Sequence, residues 1–397
     1  MTSLRPGIQI CGVMSEKESD QNSRVSFLAE NMRWVLMTFA TSRLVIVLVM
    51  LLSRQIISRG PYVQISGQME HGGTLFDLFT QSDGVWYRMI AEHGYQPPSH
   101  PLAPAFFPFY SVLIRLAEFV VRDWQAASLL VSNGCFIAAA LLFDRLLRLD
   151  HDDATSRRAI TFLMFSPLSF FFSSAYTEST FLLLAVAAAL AARKGQWLVA
   201  CLCAACLGAT RPPGILIGVF LLAECLMQWR NSGAKFRALL HPRLLYFALI
   251  PLGLLAYLLY CHFALGDFFK PAHAHGIGWA QHLTLPWQTF LHPQNFTPAY
   301  VPLYRTLITA GLVTLALGII TGLRPSYWIY VLVSAAFSLS WGNMDGVPRY
   351  FSVIFPLYIA LGVATERWKW SYEPILALSV ALLALCSLLA ANAYQMS

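Results

Sequence analysis

The chain has 397 residues, of which 57% are hydrophobic and only 12% charged, with a formal net charge of +7. Roughly a quarter of an ordinary globular chain is charged, so a soluble protein of this length would lack the polar surface to cover its core. The basic residues sit in short clusters after long apolar runs, as topology determinants do, and nucleic acid is excluded as a partner on that ground.

Residues 1–33 are polar and read as a cytoplasmic N-terminal segment with no cleavable signal, so that the first hydrophobic helix acts as an uncleaved anchor. A bilayer core about 30 Å thick takes about 20 apolar residues per helix. On that measure the apolar runs predict eleven spans, near 34–53, 125–143, 159–175, 177–192, 196–210, 213–229, 244–263, 303–322, 326–341, 350–365 and 373–393. The expected fold is therefore an all-α, polytopic transmembrane helical bundle. Residues 34–393 form one membrane domain, and 54–124 is its large first loop. The segment 105–121, with Arg115 and Glu118, either spans or lies in the interface.

Charge decides that point. If 105–121 does not cross and the N-terminus is cytoplasmic, Arg145, Arg148, Arg157, Arg158, Arg193, Lys194, Arg230, Lys235, Arg237, Arg243, Arg324, Arg367 and Lys369 join the N-terminal Arg5, Lys17, Arg24 and Arg33 on the cytoplasmic side. That places 17 of the 27 basic residues there, as the positive-inside rule requires. The loop 54–124, the turn at Tyr176–Glu178, Arg211, the loop 264–302 and the loop 341–349 then share the other face. The polar and aromatic motifs lie on that face.

The first loop carries Ser82-Asp83-Gly84-Val85-Trp86-Tyr87-Arg88-Met89-Ile90-Ala91-Glu92-His93-Gly94-Tyr95. A carboxylate beside aromatics suits a general base acting on a sugar hydroxyl, with the rings binding sugar faces. The same residues also suit an interfacial helix capped by Asp83 and anchored by Trp86 and Tyr87. In the segment that follows, Phe106 to Tyr110, Pro108 suits a first helical turn and the aromatics suit an interfacial seat, with packing or anchoring as their role. Glu178 either caps a helix or contacts a site. Arg211, before two prolines, and Arg349 can each clamp a phosphate, and Arg211 can equally snorkel to the surface. Arg43, inside the first span, calls for a carboxylate or a polar cavity, with a structural ion pair favoured.

Other features read as packing. The eight cysteines form no disulfide framework, and Cys203 and Cys206 have redox spacing but sit within a hydrophobic helix. Gly214 and Gly218 read as close helix packing. His273, His275, His282 and His292 lie in an aromatic interfacial loop without an accompanying carboxylate or cysteine, so no metal site is expected. Walker, dinucleotide-binding, HExxH and GxSxG elements are lacking.

The residues Ser82-Asp83-Gly84-x-Trp86-Tyr87-x-x-Ile90-Ala91-x-x-Gly94-Tyr95 and Phe106-Phe107-Pro108-x-Tyr110 resemble the PIG-V-type mannosyltransferases. Ser174-Ala175-Tyr176-Thr177-Glu178-Ser179, Thr210-Arg211 and Pro348-Arg349-Tyr350 follow in that family's order. Serine precedes the acid where the family often has tryptophan, which bears on the substrate more than on the fold. The resemblance spans residues 35 to 365. It implies a membrane glycosyltransferase of GT-C type that takes a sugar from a polyprenyl-phosphate donor to a glycolipid or glycan acceptor, with inversion. It also implies Asp83 as the catalytic acid residue. Trp86, Tyr87, His93, Tyr176, Glu178, Arg211 and Arg349 are then the expected substrate and donor contacts, and no cofactor or metal is expected. A bacterial plasma membrane is the expected location, or the endoplasmic reticulum if the chain is eukaryotic. A lipid or solute transporter and a non-catalytic subunit are the rival readings.

The orientation is testable by single-cysteine labelling in a cysteine-free background. Position 100 is expected to react with an impermeant reagent from outside the cytoplasm. Reaction only after the cytoplasmic side is opened would invert the topology.

Overall fold

A computed structural model describes residues 8–58, 76–96, 99–233, 242–294, 297–392 and 394. Residues 1–7 of the expected N-terminal segment, 59–75 of the expected first loop, and Lys235 and Arg237 lie outside the described residues. The first helix, α1, runs Ile8–Ile56. The first loop holds α2 (Asp77–Thr80), α3 (Asp83–His93) and α4 (Pro108–Val121). Then come α5 (Trp124–Leu147), α6 (Asp153–Met164), α7 (Glu178–Arg193), α8 (Trp197–Gly208), α9 (Ile217–Asn231) and α10 (Leu252–Leu265). The chain continues through α11 (Lys270–Trp279), α12 (Pro286–Leu291), α13 (Val301–Ile320), α14 (Pro325–Ser338), α15 (Val347–Ser352), α16 (Pro356–Arg367) and α17 (Tyr372–Ala391). No strand occurs among the described residues.

Six helical segments among the described residues are long and apolar enough to cross a membrane: Ala29–Ile56, Trp124–Leu147, Pro212–Asn231, Leu244–Leu265, Pro298–Ile320 and Lys369–Ala391. The chain is a multi-pass membrane protein. Each of the six coincides with an expected span. The other five expected spans fall on helical pieces shorter than that measure. The reason is enclosure. Twelve of the sixteen residues of α7 are buried, with α5 and α8 packed on it. A helix surrounded by protein need not match the bilayer, because its neighbours rather than lipid cover its ends. Likewise 159–175 is no continuous helix: α6 stops at Met164, ahead of Pro167, and a 3-10 turn follows at Ser169–Ser173.

That break explains Arg43. Its Nη1 donates to the Ser169 carbonyl at 2.7 Å and to Ser173 Oγ at 3.1 Å. Its Nη2 donates to the Met164 carbonyl at 3.0 Å and to Ser169 Oγ. Phe39 and Phe136 flank the guanidinium. The favoured ion pair is therefore replaced by carbonyls and hydroxyls released where the helix ends.

Helix α4 has 14 residues, with Pro108 at its start as expected. At 1.5 Å per residue it is about 21 Å long, short of a bilayer core. It buries Tyr110, Ser111 and Ile114 and exposes Leu116, Phe119 and Val120. Of the packing and anchoring roles expected for Phe106 and Phe107, packing is the one seen: both are buried, and Phe107 packs on Tyr257. Gly214 packs as expected, because a Cβ there would lie 2.2 Å from the Leu207 carbonyl oxygen. The described cysteines, Cys203 and Cys206 included, are free.

The segments assigned to the cytoplasmic side contact one another. Arg157 pairs with Glu30, Arg158 with Glu366, Arg148 with Asp144 and Asp153, and Arg193 with Asp150. At their centre Glu224, fully buried, accepts from Arg324 Nη2 at 2.8 Å and Nε at 3.0 Å, Ser326 Oγ at 2.9 Å and Gln228 Nε2 at 3.0 Å. Arg193 Nε lies 3.4 Å from the same carboxylate. Glu224→Ala leaves two guanidinium groups short of their shared counter-charge. It is expected to lower unfolding stability by about 3 kcal/mol, because Arg324 is partly solvated and Arg193 keeps Asp150. Thermal unfolding in detergent reads this. An unchanged melting temperature would mean that the network is solvated and contributes little.

Candidate functional site

At the other end of the bundle, the segments assigned to the non-cytoplasmic face are tied together by hydrogen bonds. Ala175 N donates to the Phe79 carbonyl at 2.7 Å, Phe109 N to Ala209 at 3.2 Å, and Thr284 N to Ser340 at 2.9 Å. Tyr257 Oη donates to the Pro104 carbonyl at 2.7 Å, and Asn343 Nδ2 to the Trp279 carbonyl at 3.0 Å.

The Ser-Asp-Gly sequence sets the first element. Ser82 has φ 55° and ψ −121°, a backbone setting that a non-glycine residue seldom takes, and α3 starts directly after it. Asp83 thus stands in the first turn of α3 rather than at the expected cap position. Gly84 allows the close approach that follows: a Cβ there would meet Ala175 Cβ at 3.0 Å and the Ala175 carbonyl oxygen at 3.3 Å. The start of α3 therefore lies on the turn that leads into α7.

That turn delivers Glu178, which is completely buried. Its Oε1 accepts from Arg211 Nη2 at 2.6 Å and lies 3.0 Å from Arg349 Nε. Arg349 Nη1 in turn donates to Asp83 Oδ2 at 2.6 Å. Two carboxylates and two guanidinium groups thus alternate in one chain, Asp83–Arg349–Glu178–Arg211, with no net formal charge. Tyr176 lies under Arg349, 5.1 Å from guanidinium carbon to ring centre, and Tyr350 lies 5.4 Å from Arg211. Among the described residues Glu178 Oε2 and Arg211 Nη1 are buried without hydrogen-bond partners. Asp83 Oδ1 also has no donor among them.

Three of the four, Asp83, Arg211 and Arg349, line a cavity of about 280 Å³ together with Tyr87, His275 and Asp345. Its other walls are largely apolar and aromatic, including Phe106, Phe107, Trp279 and Trp341. Burial pushes the Tyr87 phenol up to about 12 and the His275 imidazole down to about 4.

Of the expected site residues, Asp83, Tyr87, Arg211 and Arg349 line this cavity. Glu178 and Tyr176 stand behind it, holding the arginines. Trp86 is not among the cavity's lining residues and stacks on Phe106 with ring centres 5.4 Å apart. His93 does not join the site. It is exposed at the far end of α3, 3.7 Å from Glu92. His275 and Trp279 are lining residues that the interfacial reading of the loop 264–302 passed over. The signal was there: a helix over His273 and His275 turns residues two apart to opposite sides. His273 does face outward, bonded to Asp267 at 2.7 Å, so the loop does hold a carboxylate partner for one histidine, contrary to the expectation of none. Among the described residues no three His, Cys, Asp or Glu side chains gather as a metal site.

No protein-family model matches the chain, and no curated protein matches it. Among solved structures it resembles the crystal structure of the Archaeoglobus fulgidus oligosaccharyltransferase, tethered through a disulfide bond to an acceptor peptide containing the NVT sequon. The TM-score is 0.54 at 13% identity, covering 91% of this chain and 55% of that one, so this chain corresponds to about half of its neighbour. At that identity the likeness speaks to the fold alone.

Removing Glu178 takes away the one carboxylate shared by two buried guanidinium groups. Glu178→Ala is expected to lower unfolding stability by about 3–5 kcal/mol, the usual effect of breaking a buried pair from one side. Asp83→Asn, at the partly exposed end of the chain, is expected to lower it far less. Thermal unfolding of both variants in one detergent checks the order, and equal losses would contradict it.

Proposed function

We propose that the chain is a GT-C glycosyltransferase, a mannosyltransferase, acting on the non-cytoplasmic face of its membrane, a bacterial plasma membrane in this reading. It takes the sugar from a polyprenyl-phosphate donor to a glycolipid or glycan acceptor and inverts the anomeric carbon. The observation that carries this reading is the Asp83–Arg349–Glu178–Arg211 chain on the wall of an otherwise mainly apolar and aromatic cavity. The fold-level likeness to an oligosaccharyltransferase and the Asp-Gly-x-Trp-Tyr segment support it.

The geometry divides the work. Asp83 Oδ2 is occupied by Arg349, so Oδ1 is the oxygen that takes the acceptor proton as the hydroxyl oxygen attacks the anomeric carbon. The bond from that carbon to the phosphate oxygen breaks, and its electrons leave on the polyprenyl phosphate. Arg349 orients Asp83. Arg211, with Nη1 unengaged, donates to the departing phosphate. A single-phosphate leaving group calls for one such cation, and the reading assigns no metal to the step. Tyr87, its phenol neutral at working pH, closes the wall beside Asp83.

The test is Asp83→Asn with purified protein, polyprenyl-phosphate mannose and a membrane lipid extract, identifying the glycosylated product. The variant keeps shape and hydrogen bonding while losing basicity, so transfer is expected to fall at least about a hundredfold with donor binding retained. A folded Asp83→Asn protein that turns over normally would remove Asp83 as the base. If the wild type also transferred nothing, a non-catalytic subunit or a transporter would fit better.

Arg211→Gln separates the cation from the base. It is expected to weaken donor use by about tenfold or more while leaving the fold intact. The fall should be smaller for donors whose phosphate is replaced by a neutral linker. An equal fall with both donors would argue against a phosphate contact.

A further inference from the structure

His275 is a polar lining residue to which the reaction above gives no part. It lies on α11, two residues beyond His273 and so about 200° further round the helix, and it faces the cavity that Asp83 borders. The Ala105 backbone interacts with the ring, while Nδ1 is enclosed and has no partner in hydrogen-bonding geometry among the described residues. Native proteins seldom leave such an atom unsatisfied, so an unpartnered one on a cavity wall points to a ligand. Burial holds the imidazole neutral at ordinary pH, with its pKa down at about 4.

Neutrality sorts the ligand chemistry. A neutral imidazole has one donor and one acceptor nitrogen, which suits a hydroxyl group and not an anion. The anion already has a better partner in Arg211. Trp279 stands beside His275, ring centres 5.4 Å apart, and lines the same cavity. A hydrogen-bonding atom next to a flat apolar ring matches a hexose, whose ring has an apolar C–H face and a hydroxyl edge.

We propose that His275 is a specificity-determining residue whose Nδ1 binds one ring hydroxyl of the transferred hexose while Trp279 packs against the sugar face. This rests on reading the chain as a glycosyltransferase.

The experiment uses full-length wild-type protein, His275→Phe and His275→Asn in lipid nanodiscs. Each is given short-chain polyprenyl-phosphate mannose and its 2-, 3-, 4- and 6-deoxy analogues, with membrane lipid extract as acceptor. The wild type is expected to lose about tenfold in kcat/KM for one analogue in particular. His275→Phe should show that same loss, about tenfold and mainly in KM, with intact mannose, and no further loss with that one analogue. His275→Asn, which keeps a hydrogen-bonding group, should restore part of the preference. This non-additivity at one hydroxyl is something a merely structural histidine would not produce.

His275→Phe that discriminates among the analogues as the wild type does, with KM unchanged, would overturn the inference and leave the transferase reading standing. A wild type that transfers no sugar from any polyprenyl-phosphate donor would overturn both. If His275→Phe fails to fold, as a lost thermal transition would show, His275→Asn decides alone. A reduced preference at one hydroxyl supports the proposal, and an unaltered preference at all four refutes it.

Discussion

Glu178 carries the negative charge around which the rest of the site is arranged. Arg211 and Arg349 would repel each other in a poorly solvated interior, yet a single oxygen, Oε1, holds both at 2.6 Å and 3.0 Å. Held there, Arg349 has a fixed direction in which to offer Nη1, and Asp83 takes its place from that. The anchor is therefore neither in the loop that bears Asp83 nor on the cavity wall. It is the first residue of α7, a helix enclosed by α5 and α8. The most tightly packed part of the bundle thus sets the geometry of its most open part.

The opposite end of the molecule uses the same device to a different end. Glu224 also bridges two arginines, Arg324 and Arg193. There, however, both carboxylate oxygens are fully engaged by Arg324, Ser326 and Gln228. At Glu178 one oxygen is unengaged, and so is Nη1 of Arg211. Buried networks are normally satisfied, so this contrast separates a clamp that closes on itself from one that leaves hydrogen-bonding capacity unfilled. The charges are alike, and the difference lies in what each network leaves over.

Hydropathy made the long lipid-exposed helices legible, because a helix facing lipid must be apolar over a bilayer's thickness whatever it packs against. Basic clusters made the two polar ends legible, since Arg158, Arg193 and Arg324 do gather at one end and Arg211 and Arg349 at the other. Enclosed helices such as α7 were read as spans from hydropathy yet are shorter than a bilayer core requires, since their length answers to neighbours that no local window contains. Phe106 and Phe107 read as interfacial because composition cannot tell a ring buried in protein from one buried among headgroups. The inward turn of His275 needed only the helical period, yet it showed no significance until a cavity lay in front of it. Arg43 was legible as a charge needing partners. That those partners are carbonyls follows from a helix break more than a hundred residues away.

That pairing also orders assembly. Most of the groups that satisfy Arg43 belong to residues 164–173, so the first membrane segment is made with a cation whose only hydrogen-bond partner at hand is Ser42 Oγ, 3.2 Å from Nε. Until the 3-10 turn at Ser169–Ser173 has been synthesised and has docked, α1 holds an unsolvated guanidinium and is free to shift in depth or rotate. Once it has docked, the same contacts lock α1 against α6 and the turn. The first helix to be inserted is in this sense the last of the early ones to be settled, and a chain interrupted before residue 164 is left with an anchor it cannot fully seat.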